Sequence, residues 1–358
     1  MKATLQTKAL SDALKRVMPV LGKTTIPVLS NVLIEAQGST LKLTGTNSDQ
    51  WISVSVEAQV SQPGATTSPV RRFHQAVSLL DTKEVEISTD EKENLTLIGG
   101  SRKAKLAGIA ASEFPPMLQI EKGVALFCEA EKLAEWLRLL QPFQSSDVGR
   151  LMLWGIHCLS TKEGLMLQAT DGRALLQIET TIPCEKLECI LPTPAVTSII
   201  AATADGEISI SVGENSAIFS GDGWTVASKL LNLSYPNVDA AIPDPASLKD
   251  GFTVNREELM AALGYAGAFS TDKMPRVVLT AANGTLKVTG ETVAVADSEV
   301  RLEAKGKTQV CIQPQYLIDG LKAFNAPEVE ILGGDSGTSA LYIRLGGVTS
   351  ITMPMRIQ

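Results

Sequence analysis

At 358 residues, 44% of them hydrophobic but only 4% aromatic, the chain has the length of two or three domains with aliphatic cores. A formal net charge of −7 argues against a surface that grips nucleic acid all over, though not against one locally basic face. No apolar run reaches the roughly 18 residues of a membrane span, and Met1-Lys2-Ala3-Thr4-Leu5-Gln6-Thr7 turns polar too soon for a secretory signal, so no membrane contact and a cytoplasmic location are expected.

A short strand is expected at 3–6, then a helix from about Lys8. In it Ala9, Leu10, Ala13, Leu14, Val17 and Leu21 recur at helical spacing, leaving Lys8, Ser11, Asp12, Lys15 and Arg16 on the other face. Pro19 ends or bends it, and Lys23-Thr24-Thr25-Ile26-Pro27 reads as a loop before strands at 32–34, 41–43 and 52–56. A second unit opens at Thr66. Pro69 suits a first helical turn, after which Val70, Phe73, Val77 and Leu80 form a stripe with Arg71, Arg72, His74 and Gln75 off it. Strands at 85–87, 95–97 and around Leu106 complete this unit, and Glu113-Phe114-Pro115-Pro116 closes the repeat as an extended linker.

The plan recurs. Leu126-Phe127-Cys128 precedes a helix striped by Leu133, Trp136, Leu137 and Leu140; Ile190-Leu191-Pro192 precedes another with Val196, Ile199 and Ile200. Leu233-Ser234-Tyr235-Pro236-Asn237 echoes the Phe-Pro linker. The third copy runs from Phe252 through a helix with Leu259, Ala262, Leu263 and Ala266, strands including 293–295, and a last helix after Val310-Cys311-Ile312. At the centre, Leu165, Leu167 and Ala169 alternate into Thr170-Asp171-Gly172-Arg173, where Asp-Gly is turn chemistry. The same alternating strand and small polar turn stands at 41–48 and at 286–292. Six strand–helix–strands units in three repeats make an α+β protein rich in antiparallel sheet, with short turns such as Glu214-Asn215 and Asn283-Gly284. Repeated units of this kind either stay an open solenoid or close on themselves.

Five scattered cysteines and two histidines give no metal-ligand spacing; Cys184 and Cys189 form the only close pair, so neither a metal nor another cofactor is expected. Asp171 beside Thr170 and Arg173 invites a catalytic reading. No general-acid partner, nucleophile–base arrangement or phosphate loop accompanies it, so an enzyme is not expected.

At Ala169-Thr170-Asp171-Gly172, the terminal Met353-Pro354-Met355-Arg356 and the Phe114-Pro115 and Tyr235-Pro236 linkers, the chain resembles the bacterial DNA polymerase III beta subunit, the sliding-clamp family. The resemblance covers essentially the whole chain. It implies three tandem clamp domains, 1–121, 122–248 and 249–358. It further implies a head-to-tail dimeric ring, helices inside and sheets outside, that encircles double-stranded DNA without regard to sequence. A ring holds DNA by topology, so its contacts can be few and weak enough to slide.

The resemblance also assigns residues. DNA contact falls to Lys15, Arg16, Lys23, Arg71, Arg72 and Arg150, with Arg138 and Lys322 further inner-helix cations. A pocket for a short linear motif of the polymerase alpha subunit and the clamp loader falls to Thr170, Gly172, Arg173, Leu175, Pro236, Val238, Ile351, Met353 and Met355. The ring interface falls to Ala104 and Leu106 on one side, Ala268 and Phe269 on the other. The chain departs from the family at Leu151-Met152 and Thr193-Pro194-Ala195, where aromatic and basic residues are usual, and at Arg173-Ala174, where His-Arg is usual. Ala240 and Ala241 replace larger residues. An alternative is therefore a diverged paralogue, a protein-binding scaffold with weakened DNA contact; the pocket departures imply altered motif preference.

Overall fold

In the computed structural model six α-helices among the described residues each begin directly at the end of a strand or one residue past it. They are α1 (Thr7–Val17), α2 (Val70–Ser78), α3 (Ala130–Leu140), α4 (Thr193–Ala202), α5 (Arg256–Ala268) and α6 (Pro314–Leu321). The structure describes residues 1–22, 24–147, 149–248, 250–269, 275–291, 298–333 and 339–356. The six helices fall one to each unit expected from the repeats. In α1 the buried face is Leu10, Ala13, Leu14 and Val17, and the helix gives way at Pro19 to a 3₁₀ turn, Met18–Val20. Each of the Leu and Val side chains, taken from water, contributes about 1.5–3 kcal/mol, the alanine less. α2 buries Val70, Phe73 and Val77 but stops before Leu80.

The chain packs as two compact units, Met1–Glu135 with Leu191–Asn232, and Trp136–Ile190 with Leu233–Gln358, so the middle sequence repeat contributes to both. The first unit holds a five-stranded sheet, ordered Gln59–Gln62, Lys2–Gln6, Glu84–Thr89, Leu95–Gly99, Arg102–Leu106. It also holds an eight-stranded sheet in which Trp224–Lys229 pairs antiparallel with Gln50–Glu57, Trp224 opposite Val54 and Ser228 opposite Gln50. That pairing carries one sheet across two sequence repeats.

The second unit is built on an eleven-stranded sheet with the same device. The middle-repeat strand Ala174–Glu179 lies beside the last strand, Val348–Thr352, with Leu175 opposite Ile351. Beneath the third repeat, Leu259, Leu263, Leu279, Val288, Leu317 and Ile331 are fully buried in one apolar cluster.

The structure joins what the sequence separates at Ser298–Ile312. Only Val310-Cys311-Ile312 was expected as strand here, yet all 15 residues form one strand. Residues 298–303 pair with Thr285–Glu291, 304–307 with Gly251–Asn255 and 308–312 with Arg276–Ala282. Gly306, at φ +122°, permits the change of partner, and a Cβ there would run into the Gly251 carbonyl oxygen. The strand expected at 293–295 lies outside the described residues. Asn283 and Gly284 both take positive φ, 52° and 81°, the turn geometry their types favour between Arg276–Ala282 and Thr285–Glu291.

None of the five cysteines is joined in a disulfide. Among the described residues no cluster of His, Cys, Asp or Glu could hold a metal ion, and no helix is long and apolar enough to cross a membrane.

Candidate functional site

The Thr-Asp-Gly turn links strands Leu165–Thr170 and Ala174–Glu179, and its side chains are spent on holding it. The Thr170 hydroxyl donates to the Ala174 carbonyl at 2.6 Å and accepts from the Gly172 N–H at 3.0 Å. Asp171 Oδ1 accepts from the N–H groups of Arg173 (2.8 Å) and Ala174 (3.0 Å). Gly172 sits at φ +86°, where a side chain would be strained. The other carboxylate oxygen, Oδ2, accepts from the Tyr316 hydroxyl on α6 at 2.6 Å. Burial, then the Asp171 carboxylate, push that hydroxyl's pKa above its ordinary value. With one oxygen engaged in the turn and the other on Tyr316, Asp171 is placed as structure and not as a general base.

Beside this hairpin lies a cavity of about 290 Å³. Its floor is Thr170, Leu175, Val238 and Ile351, all buried. The last strand brings Ile351 opposite Leu175, and beyond its end the Met353 N–H still donates to the Arg173 carbonyl at 2.8 Å. The Met353 side chain stays 43% exposed at the rim. Pro236, Asn237 and Ala241 form a second wall. Behind that wall Tyr235 stacks on His157, ring centroids 4.3 Å apart and 13° from parallel. His157 Nδ1 meets the Gln168 amide at 2.7 Å and its Nε2 the Glu188 carboxylate at 3.2 Å. Burial lowers the His157 pKa, with Glu188 pulling the other way. Burial raises that of the Tyr235 hydroxyl.

The structure thus brings together Thr170, Gly172, Arg173, Leu175, Pro236, Val238, Ile351 and Met353, eight of the nine residues singled out for a pocket. Met355 does not line it. Its backbone N–H bonds the Cys311 carbonyl at 2.7 Å, in an isolated antiparallel bridge. Leu153 and Asn237 line the cavity but were not anticipated, and Ala174 and Ala241, noted as departures from the family, line it too. Leu153 ends a single 3₁₀ turn, Leu151–Leu153, too short to show a period.

The basic candidates separate into free and committed groups. Arg71 and Arg72 are exposed on α2 and, among the described residues, form no ion pair. Lys15 pairs with Asp12 at 3.2 Å and Lys322 with Asp319 at 2.7 Å. Half-buried Arg16 donates to the Ala202 carbonyl at the end of α4, and burial lowers its pKa. Arg150 lies off any α-helix, 3.6 Å from Asp147, with its guanidinium over the Asp171–Gly172 turn. Arg138 is exposed on α3, α4 carries no charged residue, and Lys23 lies outside the described residues.

Ala104 and Leu106 sit two residues apart on the edge strand Arg102–Leu106, half-buried, opposite Leu97 and Leu95. Ala268 ends α5, and Phe269 caps it, 38% exposed with its ring 4.9 Å from that of Tyr265, itself 54% exposed. Phe269 is therefore a surface residue, and the exposed pair is the kind of apolar patch that a partner covers.

Two family models match. Residues 1–119 fit the N-terminal domain of the DNA polymerase III beta subunit, and residues 130–237 its central domain. A beta sliding clamp of Chlamydia muridarum is 26% identical over 366 residues, covering 100% of this chain and 99% of its own. One from Synechococcus elongatus is 28% identical over 349 residues, covering 93% of this chain and 92% of its own. A solved DnaN sliding clamp of Bartonella birtlesii, bound to griselimycin, superposes with a TM-score of 0.93 at 25% identity, covering both chains completely.

Proposed function

Because the chain belongs to the family of bacterial DNA polymerase III beta subunits, the sliding clamps, we propose that two copies close head to tail into a ring around duplex DNA and hold the replicative polymerase through the pocket at the Thr-Asp-Gly hairpin. A clamp is a non-catalytic processivity factor, and the engagement of Asp171 Oδ1 in the turn and of Oδ2 with Tyr316 suits that role. In this reading 1–121, 122–248 and 249–358 are three clamp domains. Their helices face the DNA, with Arg71 and Arg72 supplying phosphate contact, and the surface around Ala104 and Leu106 meets that around Ala268 and Phe269 of the second copy. The clamp loader and the polymerase alpha subunit share the one pocket, each by a short linear motif.

The observation that carries this proposal is the cavity itself: residues from three distant stretches, 170–175, 236–238 and 351–353, converge on one apolar hollow with an adaptable methionine at its rim. The test is retention on nicked circular DNA after loading. Loss of retention when the circle is linearised means encirclement, whereas release indifferent to linearisation means ordinary surface binding and overturns the ring. Griselimycin, bound by the Bartonella relative, is expected to compete with partner peptides for the pocket.

A specific observation favours a second reading, a protein-binding scaffold with weak DNA contact. α4 carries no charge, Arg16 is committed to the end of that helix, and Arg150 is held at the pocket. A folded dimer that binds peptides but is never retained on circular DNA would establish it.

A further inference from the structure

Two thiols face each other on the middle repeat. In the eleven-stranded sheet Glu188–Pro192 is an edge strand, and its neighbour is Gly155–Ser160. The Ser160 N–H donates to the Leu187 carbonyl at 2.8 Å, and the Leu187 N–H to the Ser160 hydroxyl at 3.1 Å. Carried two residues along an antiparallel pair, that register sets Cys158 opposite Cys189. The first repeat has the same arrangement: Asn31–Gln37 lies antiparallel to Gly64–Pro69, and there Ile34 stands opposite Thr66. The fold therefore needs no thiol at either place. Successive side chains alternate faces, so Cys158 points away from the face on which His157 stacks with Tyr235. Facing residues of such a pair stand about 4.5–5.5 Å apart at Cα, inside the roughly 4.4–6.8 Å that a disulfide spans. The two thiols hydrogen-bond to each other. Both are half-buried, whereas Cys184 is buried. Among the described residues no third ligand completes a metal site around them.

We propose that Cys158 and Cys189 are an oxidation site, a dithiol that hydrogen peroxide closes to a disulfide, pinning the edge strand. Two thiols and one peroxide become one disulfide and two waters. One thiolate attacks a peroxide oxygen and the O–O bond breaks. That sulfur keeps the oxygen as a sulfenic acid, and the departing hydroxide takes up a proton to leave as water. The second thiol then attacks the oxidised sulfur, the S–O bond breaks and the second water leaves. Two electrons have passed from the sulfurs to the peroxide. Cys158 is held protonated, first by its hydrogen bond to Cys189 and then by burial, so Cys189 is the sulfur that attacks the oxidant. The place gives the bridge a consequence. Cys189 stands two residues before Leu191, where the chain passes from the second compact unit into the first, and α4 follows at Thr193. An edge strand has ladder hydrogen bonds on one side only, so a covalent tie to Gly155–Ser160 suppresses its fraying.

The test treats the full-length protein with hydrogen peroxide until exposed Met353 has largely become its sulfoxide, which shows that the oxidant has acted. Remaining thiols are then alkylated in denaturant and the peptides are mapped by mass. The expected product is a Cys158–Cys189 bridge, reopened by dithiothreitol, with Cys128 and Cys311 still open to alkylation. Amide exchange over 188–191 should slow by roughly fivefold or more. The melting temperature should rise by about 2–6 °C, because the bridge closes a long loop in the unfolded chain. Cys189→Thr, which copies the residue of the first repeat, should show neither change after peroxide. Both thiols still open to alkylation once Met353 is oxidised overturns the site. So does a Cys184–Cys189 bridge, or a sulfinic acid on Cys189 beside an intact Cys158. A bridge that leaves exchange over 188–191 as it was overturns the pinning of the strand, and slowed exchange in peroxide-treated Cys189→Thr moves the effect to another residue.

Discussion

The Tyr316 hydroxyl, on the first turns of α6, donates a 2.6 Å hydrogen bond to Asp171 in a hairpin 145 residues away in sequence. This bond ties the turn that forms the pocket edge to the helix beside it. Tyr316→Phe deletes the donor and leaves Asp171 Oδ2 without its partner at a half-buried site. The expected loss is about 1 kcal/mol in urea unfolding, the lower end for a bond to a charged group because the site is partly exposed. The pH dependence has a definite sign. The folded-state pKa is raised above the usual tyrosine value, so this contribution is complete below about pH 10 and is lost as pH climbs through the folded pKa. Unfolding series at pH 8 and pH 11 should therefore differ less for Tyr316→Phe than for the unmodified chain; an equal difference would refute the assignment.

His157 offers the opposite case. Its pKa is lowered, chiefly by burial, so the folded chain binds fewer protons than the unfolded chain as pH falls below about 6.5. Stability is then present above that value and is lost on acidification towards the folded pKa. His157 stacks on Tyr235, next to Pro236 in the pocket wall, so peptide affinity should fall over the same range. With His74 the only other histidine, two imidazole signals suffice to follow it by NMR. A His157 signal titrating at or above the usual value would contradict the buried neutral ring.

Arg16 and Arg72 look alike in sequence, both cations on the polar face of an expected helix. Arg16 instead reaches the Ala202 carbonyl at the end of α4, where a positive charge meets the unpaired carbonyls of a helix C-terminus. Arg16→Ala should cost about 1–2 kcal/mol of stability. Arg72→Ala should leave stability within about 0.5 kcal/mol while reducing the slope of DNA affinity against salt by about one phosphate contact. Equal effects on both readouts would show that α2 and α1 do not divide these roles.

These cases also mark what sequence could tell. Helix faces such as Leu10, Leu14 and Val17 were legible because burial imposes a period near 3.6. The hairpins at Asp171-Gly172 and Asn283-Gly284 were legible because few residues tolerate their dihedrals. The pocket members Thr170 to Leu175 and Ile351 to Met353 were reached through family resemblance, since nothing local says that strands so far apart pair. Leu153 and the destination of the Arg16 side chain were not legible, because each depends on a contact made only after the chain has folded. The long strand Ser298–Ile312 was hidden by Lys305-Gly306-Lys307, which reads as a loop until the Gly251 strand is seen against it.

Gly306 tests that last point. At φ +122° it passes so near the Gly251 carbonyl that a methyl group cannot be seated without moving one strand. Gly306→Ala should destabilise the chain by about 2–4 kcal/mol, through strain as well as collision. Gly264, on α5 with open space around it, is the control, and Gly264→Ala should stabilise by up to about 1 kcal/mol through helix propensity. Thermal unfolding of both variants decides it, and similar melting temperatures would sink the argument.

Met353 and Met355 stand two residues apart in the tail, and the family resemblance assigns them one role. The structure separates them. Met353 hangs its backbone on the Arg173 carbonyl and leaves its side chain on the pocket rim, whereas Met355 bonds back to Cys311. Met353→Ala keeps the backbone bond and removes only the exposed thioether arm, so stability should hold within about 0.5 kcal/mol. Partner-peptide affinity should drop roughly five- to tenfold, because a flexible apolar side chain closing over a ligand contributes on the order of 1 kcal/mol. Met355→Ala should leave that affinity unchanged, whatever it does to the melting temperature. Calorimetric titration of both variants with one peptide separates the roles; an equal loss would mean that the tail binds as a unit and that the cavity edge extends past Met353.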